Sequence, residues 1–326
     1  MRDFLQWRRG DAVMLAEANV TPDKDQNYFG EDGDRVHMMF NFQVNQNVFY
    51  ALATSDVRPL VRALEKTRAL PPTAQWAHFL RNNDELDLGR LTEKQRDRVF
   101  AAFGPDKSMQ LYDRGIRRRL APMLGGDQRR LELAYSLLFT LPGTPVIRYG
   151  DEIGMGDDLS LPEREAVRTV MQWSNSLNGG FSVAGKIATP AIADGPFGHP
   201  HVNVADQRRD PGSLLNWTER LIRLRKECPE FGWGTWQALD PGAPGILALR
   251  FDWRGNALVA VHNLAAEARE ATLTLGDKKG QKLVNLLAYE NSDPDGRGTH
   301  KIELPPYGYR WFRVGSLNDL QRREPA

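Results

Sequence analysis

The chain has 326 residues, 41% of them apolar and 9% aromatic, with 43 basic against 42 acidic side chains and a formal net charge of +1. That length predicts two domains of ordinary size. The balanced charge argues against a nucleic-acid or membrane-surface partner, which would select a basic excess. Cys228 is the one cysteine, so no intrachain disulfide can form. With no apolar N-terminal segment, this predicts a protein of the reducing cytoplasm. The longest apolar-rich stretch, Leu131 to Leu141, is broken by Glu132, Tyr135, Ser136 and Thr140 and is too short to cross a bilayer. A secreted disulfide scaffold, a membrane-spanning protein, a coiled coil and a collagen are thereby excluded.

Four apolar runs in the first two thirds predict buried strands: Val13 to Ala16, Val36 to Phe42, Trp76 to Leu80 and Pro145 to Tyr149. Continuous apolar runs between helical patterns predict parallel strands covered on both faces. The helical patterns run through Val48, Ala51, Leu52, Leu60 and Leu64, then Arg129 to Leu138, then Leu214, Trp217, Leu221 and Leu224. From about Trp236 the texture changes. Ile246 to Phe251, the turn Arg254-Gly255-Asn256 and Ala257 to Val261 predict a hairpin. Thr272 to Leu275, a turn at 276–280, Lys282 to Ala288 and Tyr307 to Val314 continue an antiparallel series. The expected layout is residues 1–235 as an α/β layer or barrel, 236–314 as a β-sandwich and 315–326 as a flexible tail.

Polar groups cluster after three of these strands. Glu17 directly follows the first, where α/β folds place catalytic groups. An apolar wall there would raise its pKa and suit it to general-acid work. An ordinary loop glutamate is the alternative. After the third strand comes Arg81-Asn82-Asn83-Asp84-Glu85. Arg81 and Asp84 there offer charge-assisted bonds to hydroxyls or to a neighbouring carboxylate. The alternative is a salt-bridged turn with Asn83 or Asp84 as a helix N-cap. After the fourth strand, Asp151, Glu152, Asp157 and Asp158 have the composition of a Ca²⁺ loop but not the alternating spacing of an EF-hand. Ca²⁺ is therefore unsupported, and no cofactor is required. His199 and His201 stand two apart with no nearby cysteine or third histidine to complete a zinc set. Neither a GxSxG nor a P-loop occurs, which removes serine-hydrolase and nucleotide-hydrolase readings.

Leu15-Ala16-Glu17-Ala18-Asn19, Phe79 to Leu86, Tyr149 to Asp157 and Arg168-Thr169-Val170-Met171-Gln172-Trp173 occur in this order. Together they resemble the α-amylase family of glycoside hydrolases, most closely its trehalose synthase group, and Gly115 to Pro122 strengthens that likeness. The resemblance runs from about Met1 to Trp311. It implies a partial (β/α)₈ TIM barrel, strands five to eight with their helices, followed by an antiparallel β-sandwich domain. It implies a retaining enzyme acting on α-glucosidic links of maltose, trehalose or a maltooligosaccharide. By that likeness Glu17 is the acid/base and Asp84 the carboxylate that holds sugar hydroxyls, with Arg81, Asn82 and Asn83 beside the substrate.

Retaining glycosidases need a nucleophile about 5–5.5 Å from the acid/base. The family places it as an aspartate after strand four, and no residue here matches it. The resemblance therefore implies self-association or a complementing N-terminal half-barrel. A catalytically silent half-barrel that binds sugar or a partner chain is the alternative. Three departures stand out: Asn83 where the family has His, Val170 where it has Pro, and Arg148 where it has an aromatic residue.

Overall fold

The protein is described from a computed structural model covering residues 1–275 and 281–315. The turn expected at 276–280 and the tail beyond Gly315 lie outside the described residues. The chain divides into two compact units. One comprises Met1–Thr54, Arg58–Leu138 and Gly143–Arg220. The other comprises Ser55–Val57, Phe139–Pro142 and the chain from Leu221 onward.

In chain order the first part contains α1 (Arg2–Arg8), β1 (Leu15–Ala16), α2 (Pro22–Phe29), β2 (Met38–Phe40), α3 (Phe42–Thr54), α4 (Arg58–Lys66) and β3 (Gln75–Phe79). It continues with β4 (Leu86–Asp87), α5 (Glu93–Phe103), β5 (Gln110–Leu111), β6 (Gly115–Ile116), α6 (Leu120–Met123), α7 (Gln128–Thr140), β7 (Thr144–Val146), α8 (Val204–Gln207) and α9 (Leu214–Lys226). Strands β1-β2-β3-β7 form one sheet in that order, every pair parallel. The carboxyl ends of β1, β3 and β7 thus lie at one end of the sheet, and the motifs singled out above follow those three strands. Strands β4-β6-β5 form a small antiparallel sheet.

Helix spacing decides the packing around the parallel sheet. Val44, Val48, Phe49 and Ala51 put one buried stripe on α3, and Leu60, Ala63 and Leu64 put another on α4. Beneath α2, Phe29 meets Trp76 edge to face at 5.1 Å, and the Trp76 indole N–H donates to the Thr67 carbonyl at 2.7 Å. Helix α5 starts at a capping box in which Thr92 and Gln95 bond reciprocally.

Each strand differs at its ends from the apolar run that predicts it. β2 stops at Phe40 because the Asn41 side chain accepts from the Val44 backbone N–H at 2.9 Å and starts α3. β7 stops at Val146, and Arg148 instead donates to the Asn82 carbonyl at 2.8 Å and to the Val167 carbonyl. At β1 only Leu15 and Ala16 pair, since this edge strand has β2 as its one neighbour, and Val13 is exposed. The helical run from Val48 to Leu64 is two helices, interrupted at 55–57.

The second unit contains α10 (Glu230–Trp233), β8 (Thr235–Leu239), β9 (Ile246–Trp253), β10 (Asn256–Asn263), β11 (Arg269–Thr274), β12 (Leu283–Asn285), β13 (Thr299–Leu304) and β14 (Tyr309–Val314). An antiparallel sheet of order β12-β14-β10-β9-β8 and the pair β11-β13 enclose a shared core. Ala248, Val261, Ala271, Leu273, Ile302 and Phe312 all point into it. The β9–β10 hairpin closes through Arg254 and Gly255, both at positive φ (48° and 77°), the geometry whose twist suits a two-residue hairpin. Cys228 is 1% exposed, with the Arg313 guanidinium 3.8 Å from its sulfur. Arg313 also pairs with the buried Glu230 at 2.5 Å.

Candidate active site

Glu17 is the residue after β1 and is exposed. The apolar wall expected around it is not there, because β1 is an edge strand with no neighbour on its outer side among the described residues. Two residues on, Asn19 donates from Nδ2 to Asp87 Oδ2 at 3.0 Å and accepts from Arg90 Nε at 2.6 Å. The loop after β1 therefore touches β4 and the turn after it, just beyond the Asp84 loop.

The end of β3 is fixed from α3. Asn45 is buried and donates to the carbonyls of Phe79 and Leu80 at 2.7 and 3.0 Å. Arg81 is 2% exposed and lies beneath the loop, donating to the carbonyls of Arg118 at 2.8 Å and Asp84 at 2.6 Å. Burial, together with the neighbouring charges of Arg148 and Arg119, pushes its pKa down to about 10. The Asn82 side chain accepts from the Asp84 backbone N–H at 3.1 Å. Asn83 is exposed, and its carbonyl accepts from Arg168 Nε at 2.9 Å. No helix begins at Asn83 or Asp84. β4 follows at Leu86, and the next helix takes Thr92 as its cap, so the N-cap reading of this turn fails.

The Asp84 carboxylate has an arginine on each oxygen: Arg168 Nη2 on Oδ1 at 2.8 Å and Arg164 Nη1 on Oδ2 at 3.1 Å. Arg164 also holds the buried Glu85 at 2.7 and 3.2 Å. These arginines lie in and just after the 3₁₀ turn Glu163–Val167, four residues apart, so one turn presents both to the same loop. Sequence reasoning missed this clamp. Arg168 stood within a motif, and the spacing of Arg164 and Arg168 was the available signal.

After β7, two of the four acids that resemble a Ca²⁺ loop, Asp151 and Asp157, are held by cations of the protein itself. Asp151 pairs with the fully buried Arg119 at 2.9 Å. Asp157 pairs with Arg118 at 3.0 Å and accepts from the Arg119 backbone N–H at 2.8 Å. Burial raises the Asp157 pKa against the opposing pull of Arg118, and burial raises that of Glu152 too. Among the described residues no group of three or more His, Cys, Asp or Glu is placed to hold a metal ion. Two part-exposed aromatic rings, Tyr112 and Tyr149, stand beside the arginines of this region. The Tyr149 hydroxyl donates to the Thr169 carbonyl at 2.7 Å, and Arg164 lies over the Tyr112 ring at 5.7 Å. Carboxylates and guanidinium groups beside part-exposed aromatic rings are a surface that can hold a polyhydroxylated ring, by charge-assisted bonds at its hydroxyls and by packing at the exposed ring edges.

Comparison with known proteins gives matches over both units. Residues 1–234 match the α-amylase catalytic domain and residues 255–313 the sucrose hydrolase-like C-terminal domain. A trehalose synthase of Thermus thermophilus is 40% identical over 96% of this chain and 33% of its own length. One of Pimelobacter sp. (strain R48) is 38% identical over 96% of this chain and 57% of its own. Among solved structures, the α-amylase from H. orenii superposes with a TM-score of 0.70 at 19% identity, over 96% of this chain and 55% of that one. The chain thus spans between a third and somewhat over half of the length of these relatives. No helix among the described residues is long and apolar enough to cross a membrane.

Proposed function

The chain belongs to the α-amylase family, and from that membership we propose that it is the portion of a trehalose synthase-like enzyme that carries the acid/base and the third carboxylate. The four parallel strands are read as strands five to eight of a (β/α)₈ barrel and the antiparallel unit as the family's C-terminal sandwich. The domain boundary is put at 235/236, with the tail from 315. The substrate class is an α-glucoside, maltose or trehalose first, and the location cytoplasmic. The observation that carries this reading is the place of the two carboxylates: Glu17 and Asp84 follow β1 and β3 at the same end of one parallel sheet, and Asn19 ties the Glu17 loop to β4, just beyond Asp84.

In this reading Glu17 protonates the leaving glycosidic oxygen and then takes the proton of the incoming hydroxyl; its exposure lets it reach a sugar bond. When the incoming hydroxyl belongs to glucose, one disaccharide becomes another; when it is water, the outcome is hydrolysis. Asp84 holds ring hydroxyls while positive charge develops at the anomeric carbon. Asn82 and Asn83 line the turn. Arg81, turned inward onto carbonyls, supports Asp84 from below rather than touching sugar. The nucleophile comes from the strand-four segment of the family, whether joined upstream in the same polypeptide or supplied by a second one. Without that segment the apolar edge at β1, unpaired among the described residues, favours a complementing half-barrel or self-association.

The test is to supply the first half of a trehalose synthase barrel as a separate polypeptide and to follow maltose and trehalose by chromatography. The complemented enzyme should interconvert the two sugars, the chain alone should not, and Glu17→Gln should lower turnover by about 10²–10⁴-fold. Full turnover by the complemented Glu17→Gln variant would overturn the assignment.

A further inference from the structure

The junction between the Glu17 loop and β4 with the turn after it is made by residues that the chemistry above does not use. Asn19 commits both ends of its amide, Nδ2 to Asp87 at 3.0 Å and Oδ1 to Arg90 at 2.6 Å. Both partners stand on a rigid side. Asp87 lies in β4, paired across from Gly115 of β6, and its Oδ1 accepts from the Gly89 N–H at 2.7 Å. The Arg90 backbone N–H donates to Gln46 Oε1 on α3 at 2.8 Å, and Gln46 is fully buried. The Glu17 side is weakly built by contrast: a two-residue edge strand, then exposed Glu17 and Asn19. Charge reinforces the junction. Arg90 is part-buried and feels Asp25, Asp87 and Asp23, which favour its charged form against the cost of burial. Asp23 and Asp25 both belong to α2, the element that follows the Glu17 loop. Arg90 therefore holds the Glu17 side through the Asn19 amide.

We propose that Asn19 and Arg90 are positioning residues that lock the Glu17 loop onto β4 and the turn after it, just beyond the Asp84 loop, and so fix the separation of the two carboxyl groups. This rests on the reading of Glu17 and Asp84 as the working pair. A catalytic group displaced by about 1 Å can lose on the order of 10²-fold in rate. A lock of this kind acts on kcat more than on KM, because the sugar still meets Asp84 and the clamp.

Amide hydrogen exchange on the full chain tests the lock, and kinetics of the complemented enzyme test its consequence. Asn19→Ala and Arg90→Gln should each speed exchange across residues 17–21 by about fivefold to tenfold, while the β9–β10 amides stay at wild-type rates. In the complemented enzyme kcat should fall by roughly 10²-fold with KM within about twofold, and Arg90→Lys, which keeps one donor and the charge, should recover part of the loss. Unchanged exchange at 17–21 in both variants would overturn the lock. Faster exchange with kcat retained would overturn the positioning role, provided Glu17→Gln is inactive in the same preparation. If Glu17→Gln is itself active, the failure belongs to the functional reading, and the positioning role falls with it.

Discussion

Glu17 leaves a two-residue edge strand, is exposed, and is tied to β4 two residues later through Asn19. Asp84 leaves a five-residue inner strand, and its carboxylate is gripped by two guanidinium groups with Arg81 bonded beneath. The difference suits the two jobs proposed for them. A group that passes a proton between two oxygens must approach each in turn, and an open side chain can do so. A group that stabilises developing charge works best when it is oriented beforehand, because no reorganisation is then needed in the transition state. One loop is tethered at a distance from its carboxyl group; the other is clamped at the carboxyl group itself.

The largest effect that would break this contrast is structural. Asp151→Ala leaves Arg119 buried with its partner gone, and chemical denaturation should show a loss of about 3–5 kcal/mol. Next comes Asp84→Asn in the complemented enzyme. The variant loses one guanidinium-bound oxygen and its charge, so kcat should drop by about 10²-fold or more while far-ultraviolet circular dichroism is unchanged. Asp157→Asn sharpens the comparison from outside the pair. Sequence position alone marks it as a distant loop residue, but it is buried against Arg118 and holds the Arg119 N–H. It should lower the melting temperature by several degrees and leave KM nearly unchanged. Asn83→His, which restores the family's residue beside Asp84, should raise turnover modestly, by about two- to tenfold.

The smallest effect is a pH dependence at α2. Burial raises the Asp25 pKa to about 6, above an unfolded value near 4. The folded state therefore binds the proton more tightly than the unfolded state. Stability declines as pH rises through the window between those two values and is lower, by this group's contribution, above it. Asp25→Asn should flatten thermal midpoints measured across pH 4 to 7; midpoints with an undiminished slope would refute the assignment to Asp25.

Much of the parallel sheet was legible because strands covered on both faces must be apolar along their whole length, and the run beginning at Trp76 says so plainly. The ends were not legible, since single side chains set them: Asn41 turns β2 into α3, and Arg148 draws the chain away after β7. In the second unit Thr299–Leu304 escaped notice, since its alternation of exposed and buried positions is carried by only two aliphatic residues, Ile302 and Leu304, with His300 at the third buried site. At the candidate site the place of Glu17 and Asp84 after β1 and β3 was readable from the apolar runs before them. Their environment was not. The Arg168–Asp84 pair joins residues 84 apart in sequence, and the spacing of Arg164 and Arg168 says that two cations share a turn but not which carboxylate they meet. Likewise the exposure of Glu17 follows from the position of β1 at the sheet edge, which is a property of topology rather than of neighbouring residues.

The burial of Cys228 makes the second unit report on itself. It is the only thiol in the chain, it is 1% exposed, and it lies in that unit beside Arg313. A thiol reagent can reach it only when that unit opens around it, so the labelling rate is the intrinsic rate scaled by the opening equilibrium. Under labelling conditions the other unit is silent, whatever its own stability. A chemical clock for one half of the molecule is therefore already present, and substitutions at Asp151, Asp157 or Asp25 can be sorted by whether they change its rate.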